Sequence, residues 1–337
     1  MLGRVKLGWI KQTIAGLSIV FGFGMGLSMG LSSYSFAEDV EGGSLVVVHQ
    51  GIPHDALYDV CFDGDRGLAV GIAGTVLSSS DAGLTWQPQP PLASSALLGV
   101  SCDGKTSIAV GQSGYIQTKS ASGDWQTVSS GSDQRILSVS ANDQGLAVAV
   151  GGFGTVLRSR DAGATWQPIS FDWEAILEDF LEPHIYDVAV FNDDTILLVG
   201  EFELVLLSTD GGDTWEVVNK ADSSLAAIYF SDRQNGYAVG QDGKVLKTVD
   251  GGLTWQILDV PTRENLLDIW ASGTGDVLIT GIRTLLRSSD AGASWEAITE
   301  GDVSVKWYQA VKGTPVAGEA SYNIVMVGHS GRIVQIK

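Results

Sequence analysis

A tryptophan returns along this chain about every 40 residues, each time closing the same short phrase, and a period of that length restricts the chain to repeat architectures. The phrase reads Ser80-Asp81-Ala82-Gly83-Leu84-Thr85-Trp86, then Arg160-Asp161-Ala162-Gly163-Ala164-Thr165-Trp166. It recurs as Thr209-Asp210-Gly211-Gly212-Asp213-Thr214-Trp215, Val249-Asp250-Gly251-Gly252-Leu253-Thr254-Trp255 and Ser289-Asp290-Ala291-Gly292-Ala293-Ser294-Trp295. A worn copy, Ser120 to Trp125, sits between the first two. The steps from Trp86 through Trp125, Trp166, Trp215 and Trp255 to Trp295 are 39, 41, 49, 40 and 40 residues.

Each phrase is preceded by a second shared block, Ala69-Val70-Gly71 followed by Gly74-Thr75-Val76-Leu77 in the first unit and Ala238-Val239-Gly240 followed by Gly243-Lys244-Val245-Leu246 in a later one. Each unit opens on a third, such as Leu57-Tyr58-Asp59-Val60 or Ile185-Tyr186-Asp187-Val188. These runs are short, β-branched and bounded by Gly and Asp, so they read as strands rather than helices. Four strands in about 40 residues make one propeller blade. The expected fold is therefore all-β, a seven-bladed β-propeller of four-stranded blades over residues 38–337. The seventh unit, beginning at Trp307, stops before any Asp–Gly–Trp turn, while Ser44 to Val48 is an orphan strand at the other end. The N-terminal strand is expected to complete the last blade, which removes exposed sheet edges.

The phrase is the Asp-box, or BNR repeat. Its Asp accepts hydrogen bonds from its own turn, its Gly takes a conformation that a Cβ would penalise, and its Trp buries a ring between sheets. A cation site at Asp81, Asp161, Asp210, Asp250 or Asp290 is the functional alternative to this structural role, but a single site would not need five copies. Sialidases and sortilin-like receptors also carry Asp-boxes. The whole unit resembles more closely the photosystem II stability/assembly factor-like family, from residue 44 or so to the end. That resemblance implies a seven-bladed propeller acting as an assembly or interaction factor. Photosynthetic members hold a membrane-protein partner on an Arg-rich face, whereas the arginines here are scattered (Arg66, Arg135, Arg158, Arg160, Arg233, Arg263, Arg283, Arg287 and Arg332). The non-photosynthetic bacterial branch implies envelope assembly or export.

The formal charge of −19 makes nucleic acid a poor partner, because such a surface repels phosphate. Arg4, Lys6 and Lys11 precede an uncharged apolar run from Thr13 to Leu31, and Ser35-Phe36-Ala37 offers a small-residue cleavage site. Residues 1–37 thus read as a signal peptide that delivers a periplasmic or secreted chain; an N-terminal membrane anchor is the alternative. In such a compartment Cys61 and Cys102, one position out of step in adjacent blades, are candidates for a disulfide, with two buried thiols as the alternative.

The step of 49 residues before Trp215 contains an insertion, Phe171 to His184. Trp173, Ile176, Leu177, Phe180 and Leu181 fall at helical spacing with acids between them, so an amphipathic helix is expected over 172–182, stopped by Pro183. It either packs on its own propeller or docks a partner, since departures from a repeat often lie on the binding face. Asp59, Asp187 and Asp268 share one position in their blades' first strands, where each is expected to tie off a backbone group or face channel water rather than bind metal. The four histidines lack metal spacing, and no nucleophile elbow or phosphate loop occurs. The residues therefore point to a non-enzymatic scaffold without cofactor, metal or small-molecule substrate, and the family resemblance implies a membrane or envelope protein as its partner. The alternative is a carbohydrate-active propeller, either a sialidase-like hydrolase or a lectin.

Overall fold

The computed structural model describes residues 44–102 and 105–337. The expected export segment, residues 1–37, lies outside them. The described chain forms seven four-stranded antiparallel sheets, six of them built from four consecutive strands. The first strands are Leu57–Asp63, Leu97–Cys102, Ile136–Ala141, Ile185–Val190, Leu225–Phe230, Leu266–Ala271 and Tyr308–Pro315. Each packs against the first strands of both neighbouring blades, and the seventh packs against the first, so they line the axis of a closed ring. The seventh sheet takes its fourth strand from the other end of the chain: Leu45–His49 pairs with Ile333–Ile336.

The core consists of seven clusters, one between each pair of adjacent blades. Each repeat tryptophan plugs the cluster between its own blade and the preceding one; Trp86 does so between blades 7 and 1, and Trp166 between blades 2 and 3. Blade 7 has no such tryptophan. In its place Trp270, on the first strand of blade 6, fills the cluster between blades 6 and 7, with 1% of its surface exposed and its ring edge-on to Tyr322.

Two faces follow from this connectivity. On one, the turn after the first strand of blades 1 to 6 meets that blade's repeat turn; the Ala82 N–H donates to the Asp65 carbonyl there. On the other, the turn between second and third strands meets the connection to the next blade, and this is the loop face. The second-strand glycine explains the Ala-Val-Gly block. Gly71 has an extended backbone, so its φ does not require glycine, but a Cβ there would lie 2.0 Å from the Ala56 carbonyl oxygen.

Candidate interaction face

Every first strand carries a register shift between its first and third residues, as between Leu57 and Asp59 or Ile185 and Asp187. The same bulge recurs in the other five blades. A bulge takes one residue out of the ladder and re-aims its side chain. The seven residues so displaced are Tyr58, Leu98, Leu137, Tyr186, Ala226, Leu267 and Gln309, all half-buried and all lining an axial channel of about 510 Å³. They form a largely apolar collar at the loop-face mouth. Trp307, from the connection into blade 7, stacks on Tyr58 with ring centroids 6.3 Å apart. Tyr186 stands beside Glu201, its hydroxyl 3.5 Å from Oε1.

Below the collar lie the three carboxylates that share one position. Asp59 accepts the Val100 N–H at 2.8 Å, Asp187 the Ile228 N–H at 2.9 Å, and Asp268 the Val311 N–H at 2.8 Å. Each therefore staples its first strand to the first strand of the next blade. Asp187 also accepts from the Ser138 hydroxyl, drawing in blade 3. Lys312 enters the channel from blade 7, with Nζ 3.1 Å from Asp268. Burial pushes Asp59 up to about 7 against the opposing pull of Lys312 and its backbone donors. Burial likewise pushes Asp187 up to about 6. Burial alone would lower Lys312, but Asp268, Asp59 and Asp187 outweigh it and hold the ammonium above the ordinary lysine range. Among the described residues no cluster of three or more His, Cys, Asp or Glu side chains is arranged to hold a metal ion.

The Asp-boxes lie on the opposite face. Asp81 Oδ1 accepts from the Ser79 hydroxyl at 2.8 Å and the Thr85 N–H at 2.9 Å, while Oδ2 accepts from the Thr85 hydroxyl. Gly83, at φ +86°, offers its carbonyl to the Trp86 indole N–H at 3.0 Å. Asp161 with Gly163 and Trp166, Asp210 with Gly212 and Trp215, and Asp250 with Gly252 and Trp255 repeat this pattern. Asp290 and Gly292 keep the turn, but the indole N–H of Trp295 has no partner. Trp125 is half-buried, and its turn has Ala121 rather than an Asp two residues before Gly123. Each Asp thus uses both oxygens within its own turn, which is a structural role. Cys61 and Cys102 join the first strands of blades 1 and 2 as a disulfide, with Cα atoms 5.7 Å apart.

The insertion departs from the helix expected over 172–182. Helix forms only over Trp173–Leu177, capped by Asp172, whose Oδ1 accepts the Ala175 N–H at 3.1 Å. Glu178 then turns left-handed at φ +61° and ends it. Trp173 is buried and Ile176 packs beside it in the cluster between blades 3 and 4, whereas Leu177 is only partly covered and Phe180 and Leu181 are exposed. The five apolar residues therefore do not share one helix face. The segment is anchored at both ends, by Trp173 in this cluster and by the Pro183 carbonyl, which accepts the Gly154 N–H at 2.8 Å. Its connection places it on the loop face.

The arginines remain dispersed: Arg158 and Arg160 both reach Asp213, Arg233 pairs with Asp193, Arg283 with Glu264 and Arg332 with Asp302. Among the described residues no converging set of arginines forms to grip a carboxylate ligand. The collar and Lys312 escaped the sequence reading, although adjacent apolar pairs such as Leu97-Leu98 and Leu266-Leu267 break strand alternation and mark the bulge.

Fold and site together define a closed seven-bladed Asp-box propeller with a built collar on one face. Residues 117–222 and 217–306 match the family described as photosynthesis system II assembly factor YCF48, and the chain belongs to that family. A solved structure described as YCF48 bound to D1 peptide superposes with a TM-score of 0.66 at 18% identity, covering 89% of this chain and 97% of that one. YCF48 from Cyanidioschyzon merolae gives 0.67 at 18%, covering 87% and 98%. The WD40 propeller domain of Doa1 gives 0.66 at 16%, covering 86% and 96%. Among curated proteins none matches the sequence.

Proposed function

We propose that the chain is a non-enzymatic scaffold that holds a protein partner on its loop face. The observation that carries this reading is the collar: seven bulges, one per blade, turn largely apolar side chains into one channel mouth, with Trp307 stacked at its rim. Packing alone does not call for half-exposed tyrosines there, and amphipathic aromatics at a concave mouth suit protein recognition. The carboxylates beneath are engaged in stapling the ring rather than converging on a substrate. One family member was solved with a D1 peptide, which is in keeping with a polypeptide as the bound species.

In this reading residues 1–37 export the chain and are removed near Ala37, so the ring works in the periplasm or outside the cell on a membrane or envelope protein, accessory to an export system. Affinity recovery of the exported chain from solubilised membranes tests it. A stable membrane-protein partner is expected, together with no turnover of a fluorogenic glycoside panel and no glycan-array binding. Glycan binding or hydrolysis without a protein partner would replace this account with the carbohydrate-active alternative.

A further inference from the structure

The loop-face insertion carries an apolar pair that its own fold leaves in water. Both ends of the segment are clamped. Trp173 stacks on Phe171 at 4.6 Å and covers Gly154, where a Cβ would lie 2.2 Å from the indole nitrogen. At the other end the Gly154 N–H donates to the Pro183 carbonyl at 2.8 Å, and the Phe153 N–H donates to His184 Nδ1 at 3.0 Å. Between these clamps Phe180 is 86% exposed and Leu181 46%. Phe153, held beside His184 with ring centroids 4.9 Å apart, is 57% exposed and left-handed at φ +52°. Leaving one large apolar side chain in water forgoes about 1.5–3 kcal/mol of burial, so a fixed segment presenting them has a surface waiting to be covered.

The rim decides what covers it. Asp172, Glu174, Glu178, Asp179 and Glu182 flank the pair in sequence, and all are exposed. Among the described residues the one cation paired with them is Lys220, whose Nζ lies 3.7 Å from Glu178 Oε1 and donates to the Ile176 carbonyl. Arg135 is exposed on the same face but pairs with none of these acids. An apolar centre with a carboxylate rim complements an apolar strip edged by cations, and the chain's net negative charge steers the approach of such a segment. The same charge repels an anionic lipid surface.

We infer that Phe153, Phe180 and Leu181 form a docking patch for a basic amphipathic segment of the protein partner, with arginine or lysine seated against Glu174, Asp179 and Glu182. This rests on the scaffold reading and names the chemistry of the partner's contact.

The test titrates the full chain with a labelled 14-residue amphipathic peptide of leucine and arginine, with a peptide of the same pattern carrying glutamate for arginine, and with phosphatidylglycerol vesicles. The arginine peptide is expected to bind, with binding weakening as salt rises. Phe180→Ser with Leu181→Ser should weaken it at least tenfold, about 1.4 kcal/mol. Asp179→Asn with Glu182→Gln should weaken it less and flatten its salt dependence. Leu253→Ser, on the Asp-box face, should change nothing, and unchanged melting confirms that each variant is folded. Absent binding, equal binding of the glutamate peptide, binding indifferent to the Phe180 and Leu181 changes, or vesicle binding through Phe180 would each overturn the inference. The two readings fail separately. If the Phe180→Ser, Leu181→Ser chain still recovers the membrane partner, the scaffold stands and this patch falls; if the unmodified chain recovers none, the scaffold reading falls.

Discussion

At the scale of single residues, two sets of aspartates set opposite pH dependences. Asp59 and Asp187 have folded values raised to about 7 and about 6, above their unfolded range near 4, so keeping them ionised destabilises the ring. That cost is lifted as pH falls, and the two groups together should raise stability by up to about 4 kcal/mol from pH 8 to pH 5. The Asp-box aspartates run the other way. Their turn hydrogen bonds, first of all that from Thr254 or Ser294, hold Asp250 and Asp290 down at about 2, so their contribution is present above pH 4 and lost as pH falls toward 2. Guanidinium unfolding across pH 2–9 should show an optimum near pH 4–6, and Asp59→Asn should flatten its neutral side. A flat profile in the unmodified chain would contradict the placement of these carboxylates. A steric example is Gly240, where a Cβ would lie 1.8 Å from the Ser224 carbonyl oxygen. Gly240→Ala should cost about 1–3 kcal/mol in the same assay. The shared position of the aspartates was legible in the sequence, because the repeat aligns them. That each reaches the neighbouring blade's backbone was not, because a sequence does not show which N–H groups of the next strand lack partners.

At the scale of elements, the repeat made the strands legible, and its exceptions are where sequence and structure part. Apolar spacing over 172–182 satisfies a helix, but the clamps at Trp173 and Pro183 and the left-handed turn at Glu178 limit it to Trp173–Leu177. The missing Asp-box of blade 7 is another exception. Trp270 occupies the gap that a repeat tryptophan fills elsewhere, and it lies so close to Gly313 that a Cβ there would stand 2.4 Å from the indole. Trp270→Ala should cost about 3–5 kcal/mol, more than the same change at the half-buried Trp125. Comparable losses at the two positions would remove Trp270 from this role. The Cys61–Cys102 bridge closes a sequence separation of 41 residues across the same two strands that Asp59 staples. Replacing both cysteines by alanine should cost about 2–4 kcal/mol, read as a lower denaturation midpoint with a steeper slope, because the unfolded chain loses its cross-link and exposes more surface.

At the scale of the whole molecule, the ring closes because its first strand is its last partner. Leu45–His49 covers the edge of Ile333–Ile336, and Leu45 and Val47 pack into the cluster between blades 6 and 7. Removing residues 44–49 should open that edge and yield a chain that aggregates rather than one merely less stable. Closure was legible from an orphan strand and an incomplete unit. The collar was not, because it arises from a bulge repeated around an axis and becomes a site only when seven blades bring it together. The central claim is that this collar face receives a protein. Photo-cross-linking in the full chain tests it most directly, with a benzophenone side chain placed in turn at Leu98 and Ile52 on the loop face and at Leu84 and Leu253 on the Asp-box face. The account predicts cross-links to one discrete protein from Leu98 and Ile52 and none from the other two; the reverse pattern, or equal labelling of both faces, would contradict it.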